Sequence, residues 1–465
     1  MRKIIIALTI LATVLVVSFN YVDYHHSGVY LDEDGFKDFA DKAYKERVLF
    51  KDNKGTKTEY KFEYDGQLST AIRKDAKTTK AVGAFRDETV RDMVKECQVT
   101  IAAEESGNIR HACVIDASVH DSGNGADSLA VYTKLYSEED QKMKLESADV
   151  KTYLFSEETG KEIEPIQAMN VNFRHKASEF ARDYFTKNFS ETQRNKGWES
   201  YITESEDNFN HFIMTGDSVI FLFDENTVLK KSKGIVRMTV PYRYMETAIR
   251  PYVVNRYIDP EKPMVALTYD DGPGGKAEER ILKCLEEHNS VATFFYLGSR
   301  MEYFSDNAVH ASKIGCEIGN HSWDHPTLST ESKKKITKEI ERTNDAISKV
   351  TGVSPELIRP PYGDYSNKVN KVIKSEDMTS ILWSVDTLDW KTRNAKKIFK
   401  SVKNVKKLDG KIILMHSIYD ETAKATEKIV PWLEENGYQT VTVTELIMYK
   451  NGEMPQAGQV VRAVQ

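Results

Sequence analysis

Hydrophobic and polar positions follow four patterns along the chain, and each predicts a different kind of structure. Residues 1–22 are dominated by a continuous apolar run. Residues 23–160 contain stretches that alternate apolar and polar positions, which is typical of strands in a mixed α+β module. Residues 161–250 carry an apolar helical face, a hairpin and a further strand, and they predict a second small α+β module. In residues 262–450 short apolar runs alternate with amphipathic helices.

The apolar run at the N-terminus predicts a membrane anchor. Nineteen uncharged residues, 4–22, follow two basic ones, and as a helix they are about 28 Å long, close to the hydrocarbon thickness of a bilayer. The basic pair places the short N-terminal side in the cytoplasm. We expect an uncleaved single-pass anchor, with everything after Asp23 outside the cell. A cleaved secretory signal is the alternative, although residues 17–19 make a poor cleavage site.

The large C-terminal region is predicted to be a barrel. Apolar runs of strand length lie at 264–269, 292–297, 316–319, 357–359, 380–385, 411–415 and 440–443, and helical patterns separate them. This alternation favours parallel strands joined by helical crossovers. A distorted (β/α) barrel of seven or eight strands is the most economical arrangement, and a doubly wound open sheet is the alternative.

Composition narrows the classes of function. The chain has 65 Lys and Arg against 71 Asp and Glu, a net charge of −6, which argues against a nucleic-acid-binding protein because such proteins usually carry a basic excess. Hydrophobic residues make up 40% of the chain, enough for packed cores. Four cysteines are too few for a disulfide scaffold. Cys97 and Cys113 are expected to flank a hairpin, where they could form one bridge.

Polar residues in the predicted barrel follow the carboxyl ends of strands, where barrel enzymes place their catalytic groups. The first strand ends in Asp270 and Asp271, so one carboxylate can bind a metal while its neighbour receives a proton. His321 and His325 follow the third strand, and on a helical turn their spacing puts both imidazoles on one face. With Asp271 they make a two-histidine, one-carboxylate set that leaves coordination positions open, which is typical of a catalytic metal site.

Three further groups extend this constellation. Arg359 follows the fourth strand and can pair with Asp270 to fix its orientation. His416 ends the sixth strand and faces the same mouth. A carboxylate beside it, for which we take Asp386, would hold its tautomer and raise its pKa, as suits a general acid.

Five segments in this order, T-Y-D-D-G-P, H-S-W-D-H-P, R-P-P-Y-G, D-T-L-D-W and L-M-H, resemble the five motifs of the polysaccharide deacetylase (NodB homology) domain, carbohydrate esterase family 4. The resemblance covers residues 262–450, and it implies a NodB-type distorted barrel. The anchored, multidomain layout most resembles streptococcal peptidoglycan N-acetylglucosamine deacetylases.

The resemblance also implies a role for each matching residue. Asp270 is similar to the catalytic base and His416 to the general acid, with Arg359 and Asp386 as their respective partners. The implied metal ligands are Asp271, His321 and His325, for zinc or another divalent ion such as cobalt or manganese. The implied substrate contacts are the Tyr362 backbone N–H at the oxyanion, and Trp390 and Leu414 at the acetyl methyl group.

The expected function is metal-dependent removal of the N-acetyl group from N-acetylglucosamine of peptidoglycan, with release of acetate and a contribution to lysozyme resistance. The expected partners are glycan strands and, through the N-terminal helix, the membrane of a Gram-positive cell. N-acetylmuramic acid, chitin-type oligomers and a secondary exopolysaccharide stay open as substrates, as does O-acetyl esterase activity on xylan. A surface binding module with a silent deacetylase fold is the alternative of a different class.

Overall fold

The fold is that of a computed structural model, which describes residues 32–464 apart from 46–57, 65–67, 76–77, 104–108, 141, 206, 225, 231–234, 246–247, 255, 257 and 453. The predicted anchor, residues 1–22, lies outside the described residues. Of the helices within them, none combines the length and apolar character that a membrane span requires. The chain divides into two compact units, Met1–Ile163 with Arg174–Tyr244, and Glu164–Phe173 with Met245–Gln465.

The first unit is built on two sheets. In chain order, with the short α3 of the second unit included, the elements are α1 (Glu33–Lys45), β1 (Thr58–Glu63), β2 (Leu68–Asp75), α2 (Lys80–Ala103), β3 (His111–Asp121), β4 (Ala126–Glu139), β5 (Lys142–Ser156), β6 (Glu162–Ile163), α3 (Pro165–Ala168), α4 (Phe173–Asn188), β7 (Phe212–Met214), β8 (Ser218–Phe223), β9 (Val236–Pro241) and α5 (Tyr242–Met245). Strands β1 to β6 form one sheet in sequence order, and β7 to β9 form the other.

Strand β3 shows why the larger sheet is buried on both faces. Successive side chains of a strand point to opposite faces, and Ala112 and Val114 pack with α1 while Cys113 and Ile115 pack with α2. The three-stranded sheet adds Ile213, Ile220 and Leu222, and the residue before β9 adds Ile235, to a cluster with residues of β4 and β5. Strands from both predicted small modules therefore pack into one core in this unit. The boundaries 23–160 and 161–250 stay predictions.

The predicted hairpin between Cys97 and Cys113 is wrong. Cys97 lies in helix α2 and Cys113 in strand β3, because the helical periodicity of residues 80–103 continues through the first cysteine. The two Sγ atoms nevertheless lie 3.0 Å apart, in the core between helix and sheet. Both are free thiols in the structure.

The second unit is a parallel sheet with helical crossovers. Its elements after α5 are β10 (Met264–Gly272), α6 (Lys276–Glu287), β11 (Thr293–Tyr296), α7 (Ser305–Lys313), β12 (Glu317–Asn320), α8 (Lys333–Thr351), β13 (Leu357–Ile358), α9 (Asn367–Ser375), β14 (Thr379–Ile381), β15 (Val385–Asp386), α10 (Asp389–Thr392), α11 (Ala395–Lys403), β16 (Lys411–His416), α12 (Asp420–Glu435), β17 (Gln439–Thr440), α13 (Val443–Asn451) and β18 (Val460–Val461). The strand order is β15-β16-β10-β11-β12-β13-β14-β18, with β17 beside β10.

Strand β10 explains how this sheet presents polar groups inward. Val265, Leu267 and Tyr269 pack under the helices. Met264 and Ala266, on the opposite face, pack in the interior with residues of β13, β14 and β16. Because side chains alternate along a strand, Asp270 continues the interior row at the carboxyl end.

The predicted α/β architecture is present, with two changes in detail. The apolar run 380–385, predicted as one strand, forms the two short strands β14 and β15 with a break between them. Strand β18 was not predicted. It pairs with β14, and the Val464 N–H beyond it donates to the Gly410 carbonyl next to β16, so the C-terminus spans the gap between the two edges of the curled sheet.

Glu317 allows a test of the buried core at the amino end of this sheet. Burial raises the pKa of its carboxyl from 4.5 to about 7, with Thr293 Oγ1 and the Thr444 N–H donating to it at 2.9 and 3.2 Å. A carboxyl whose pKa is raised in the folded protein contributes stability that is fully present below pH 4.5, the pKa in the unfolded chain. This stability is lost as the pH rises through about 7, the pKa in the folded protein. We expect the free energy of unfolding of the parent to fall by up to about 3 kcal/mol between pH 5 and 8, and Glu317→Gln to abolish this fall. Urea unfolding across that pH range measures both.

The exposed Glu302→Gln variant is the matched control for Glu317→Gln, and it should unfold as the parent does at every pH. Equal pH dependence of stability in the parent and Glu317→Gln proteins would contradict the prediction.

Candidate active site

Asp270 is buried at the centre of the candidate site. Arg359, which follows β13 and is fully buried, donates from Nη1 to Asp270 Oδ1 at 2.7 Å and to Thr268 Oγ1 at 2.8 Å. Its Nε and Nη2 donate to the carbonyls of Ile381 and Leu382, both at 3.2 Å. These bonds leave Asp270 Oδ2 as the oxygen that Arg359 does not hold.

The electrostatics of Asp270 suit a group that exchanges a proton. Burial raises the pKa of Asp270 above its ordinary value, and the charges of Arg359 and His416 oppose that rise. Since the charged form of a buried carboxyl needs a paired cation, the guanidinium keeps Asp270 available as an anion while burial keeps it basic.

Asp271, His321 and His325 form a possible metal site, with one ligand atom from each lying within 4.8 Å of the others. Asp271 Oδ1 lies 3.6 Å from His321 Nε2 and 3.5 Å from His325 Nε2. Asp271 and His325 both adopt positive φ angles, 68° and 67°. The backbone thus turns the carboxylate away from the Asp270 row and towards the histidines.

The donor atoms at this site fit a divalent cation. Asp271 Oδ1 is buried without a hydrogen-bond partner in the described structure. His321 Nδ1 lies 2.6 Å from the Arg359 carbonyl oxygen, a contact that leaves Nε2 for a ligand. Burial lowers the pKa of His321 to about 3, so its ring is neutral, as ligation requires.

His416 lies on the strand next to Asp270, and the two are Cα partners in the β10–β16 register. Its Nδ1 lies 2.9 Å from Asp389 Oδ1. Asp389 is fully buried, and its Oδ2 accepts from the His416 N–H and from Thr422 Oγ1, both at 2.7 Å. Desolvation alone would lower the pKa of His416, but the hydrogen bond and charge of Asp389 outweigh it, and the pKa is raised.

The prediction that Asp386 is the partner of His416 is therefore wrong. Asp386 Oδ1 accepts from the Leu388 N–H at 2.8 Å and closes the turn after β15. Leu388 then adopts a left-handed conformation, with φ 53° and ψ 31°, which redirects the chain and brings Asp389 to the histidine. Asp389 lies in the same D-T-L-D-W segment as Asp386. The motif therefore pointed to the right segment for the partner of His416, but the sequence did not show which of its two carboxylates makes the contact.

The predicted substrate contacts are only partly gathered around the metal ligands. The Tyr362 backbone has a φ of 60°. Its ring contacts the His325 ring edge-on, with 4.4 Å between the ring centroids. Trp390 directly follows Asp389 and is half exposed, and its backbone N–H donates to that carboxylate at 2.8 Å. Leu414 is buried in β16 and faces the interior beside Thr268. The role of the Tyr362 N–H stays a prediction.

Sequence reasoning also missed Glu278, a fully buried carboxyl on α6. It accepts from the Gly274 N–H and from Tyr296 Oη, both at 3.0 Å, and it thereby holds the loop that follows Asp271. Helical spacing is the signal that could have found it, because Glu278 lies three and four positions before the buried Ile281 and Leu282, whereas its neighbour Glu279 faces solvent.

The Asp389 geometry makes a prediction. We expect Asp389→Asn to lower kcat about a hundredfold and to move the alkaline limb of the pH–rate profile down by about one unit. His416 acts when protonated, so activity falls as pH rises through its pKa, and loss of the Asp389 charge lowers that pKa.

The matched variant Asp386→Asn should leave the position of the limb unchanged. A larger shift in Asp386→Asn than in Asp389→Asn would restore the assignment made from sequence.

Comparison with known proteins identifies the family. The polysaccharide deacetylase family model matches residues 257–381. The peptidoglycan-N-acetylmuramic acid deacetylase PdaC of Bacillus subtilis is 32% identical over 317 residues, which cover 63% of this chain and 67% of that protein. The peptidoglycan-N-acetylglucosamine deacetylase PgdA of Listeria monocytogenes is 40% identical over 195 residues, 42% of this chain and 40% of that protein. The chain belongs to the polysaccharide deacetylase family. By their names, the two relatives remove N-acetyl groups from sugars of peptidoglycan.

A solved structure places a metal ion in one related protein. A family 4 acetyl xylan esterase from Clostridium thermocellum, in complex with a cobalt ion, is 31% identical and covers 43% of this chain and 98% of that chain, with a TM-score of 0.40.

Proposed function

We propose that this protein removes the N-acetyl group from N-acetylglucosamine in cell-wall peptidoglycan, in a metal-dependent reaction that releases acetate. The carrying observation is that a buried Asp270–Arg359 pair, a raised-pKa His416 and a three-ligand cluster converge at the carboxyl end of β10. The names of the Bacillus and Listeria relatives support peptidoglycan as the polymer.

The residues divide the hydrolysis into two proton transfers. A zinc ion, or cobalt or manganese, held by Asp271, His321 and His325 would act as a Lewis acid that activates water and polarises the acetamide carbonyl. Asp270 Oδ2 takes the proton from the attacking water, while Arg359 holds Oδ1. His416 Nε2 gives a proton to the leaving amine, while Asp389 holds Nδ1. Water adds to the carbonyl carbon, the C–N bond breaks, and acetate and a free amine result.

The proposal includes the cell surface as the place of action. The uncharged residues 4–22 support a single-pass anchor with the catalytic domain outside a Gram-positive cell. The new amines would make the wall more cationic and weaken the binding of lysozyme, a basis for resistance.

Mass analysis of muropeptides tests the reaction and the sugar together. Purified wall is treated with the ectodomain and a divalent metal, and we expect fragments that have lost an acetyl group from N-acetylglucosamine. N-acetylmuramic acid is the second candidate substrate, favoured by the name of the Bacillus relative. Loss of an acetyl group from that sugar alone would make N-acetylmuramic acid the substrate in place of N-acetylglucosamine. No acetate from metal-replete protein on several wall polymers would overturn the proposal and favour a silent binding module.

A further inference from the structure

Exposed large apolar side chains of the second unit concentrate at one end of its sheet. Among the described residues of this unit they are Tyr252 (37% exposed), Tyr303 (81%), Tyr362 (68%), Tyr365 (42%), Leu388 (42%) and Trp390 (47%). All but Tyr252 lie on the segments that follow the carboxyl ends of β11, β13 or β15. Single exposed apolar residues are ordinary, but a concentration beside a polar site marks a surface that binds something.

Tyr303 is the most exposed of these side chains, and its position is fixed by the loops of the candidate metal site. It follows a single turn at Gly298–Arg300. In that turn the Gly298 N–H donates to the Ser322 carbonyl at 3.1 Å, within the loop that carries both histidines. Arg300 Nε donates to the Pro273 carbonyl at 2.8 Å, two residues after Asp271. The segment before Tyr303 is thus bound to both loops that supply metal ligands, by the Gly298 backbone and the Arg300 side chain.

Further contacts hold the same segment against the site. The Arg300 guanidinium lies 4.9 Å above the ring of Phe304, and Asn307 Nδ2 donates to the Gly274 carbonyl at 2.8 Å. The Tyr303 N–H donates to the Arg300 carbonyl at 3.1 Å. An aromatic ring that is 81% exposed therefore stands on a backbone that is tied down on two sides.

Strand order places Tyr303 and Trp390 on opposite sides of the two aspartates. Tyr303 follows β11 on one side of β10, whereas Trp390 follows β15, two strands away on the other side. A polymer that crosses the mouth of the site over Asp270 and Asp271 would meet an exposed aromatic ring on each side.

We propose that Tyr303 is a stacking platform for the sugar ring next to the one that is deacetylated, so that the site recognises a glycan strand rather than a single sugar. The C–H face of a pyranose packs on an aromatic ring, and tyrosine offers a large rigid surface that loses little entropy on binding. This inference rests on the proposed function and adds a specificity-determining residue to it.

Chain-length dependence of the kinetics tests this role. Acetate release is measured on the single sugar N-acetylglucosamine and on a long oligomer of it, with metal-replete parent, Tyr303→Ala, Tyr303→Trp and Tyr252→Ala proteins. We expect Tyr303→Ala to raise KM for the long oligomer about tenfold, with kcat unchanged and the kinetics on the single sugar unaffected. Tyr303→Trp should restore the low KM, and Tyr252→Ala, on the segment before β10, should behave as the parent.

The outcomes separate this inference from the proposed function. If the parent releases no acetate, the proposed function fails, and calorimetric binding of the long oligomer to parent and Tyr303→Ala proteins decides the platform alone. Equal affinities in that measurement, or an unchanged KM in an active enzyme, would overturn the role of Tyr303. An equal rise in KM for both substrates, or a loss of kcat with lowered melting temperature, would overturn it too, since neither depends on a neighbouring sugar.

Discussion

Asp270→Asn should lower kcat for acetate release about a thousandfold while the protein keeps its metal. The amide has the size of the carboxylate and its oxygen can still accept from Arg359 Nη1, but it cannot take a proton from water. General bases contribute on the order of a hundred- to ten-thousandfold, and Asp270 is the only buried carboxylate on the interior face of β10 among the described residues.

Metal content by atomic emission and kcat on peptidoglycan fragments are the two measurements. Since Asp270 is outside the three-ligand set, the metal-to-protein ratio should match the parent. A variant that keeps more than about a tenth of the parent kcat would remove Asp270 from the role of base.

His321→Ala should abolish both metal binding and acetate release. The substitution removes one of the three protein ligands, an imidazole whose orientation is fixed by the Arg359 carbonyl. Loss of a group that only orients a ligand already costs about ten- to a hundredfold in metal affinity, so loss of the ligand itself should cost more. Calorimetric titration with zinc measures metal binding. The activity of chelator-treated parent protein gives the rate expected without metal.

The control for His321→Ala is His310→Ala, at a partly exposed histidine whose Nε2 lies 3.1 Å from Glu286 Oε2. That variant should bind metal and turn over as the parent does. Tight zinc binding by His321→Ala would show that the ligand set is wrong, and full activity without metal would show that the reaction does not depend on it.

The candidate site was largely accessible to sequence reasoning because its groups stand at or shortly after the carboxyl ends of strands. Asp270 and Asp271 end β10, His321 and His325 follow β12, and the carboxyl ends of parallel strands meet at one edge of a sheet. The structure brings them together, with Arg359 on Asp270 and His416 in register beside it. The arrangement of strands and crossover helices was accessible for the same reason, since periodicity reports which positions are buried.

The errors at the site concern contacts made by loops or between distant segments. Asp386 and Asp389 are three residues apart in one loop, and only the left-handed turn at Leu388 decides which of them reaches His416. Glu278 was overlooked as a first-turn acid of a helix, although it shares the buried face of α6 with Ile281 and accepts from the Gly274 N–H. The hairpin expected between Cys97 and Cys113 is an error of another kind, because the helical pattern of residues 80–103 includes Cys97, and the two thiols meet between a helix and a strand.

By itself, the sequence determined the α/β class of the C-terminal region, the family, and the polar residues that stand at the mouth of the barrel. The class and the positions of the polar residues follow from local periodicity, because a residue at the end of a buried strand has one edge of the sheet to occupy. The family follows from the resemblance of five short motifs to a known domain. The tertiary structure alone decided the partner of His416, the buried support at Glu278 and the exposed position of Tyr303 above both ligand loops. Such contacts depend on loop dihedral angles and sheet curvature, which bring together residues far apart along the chain.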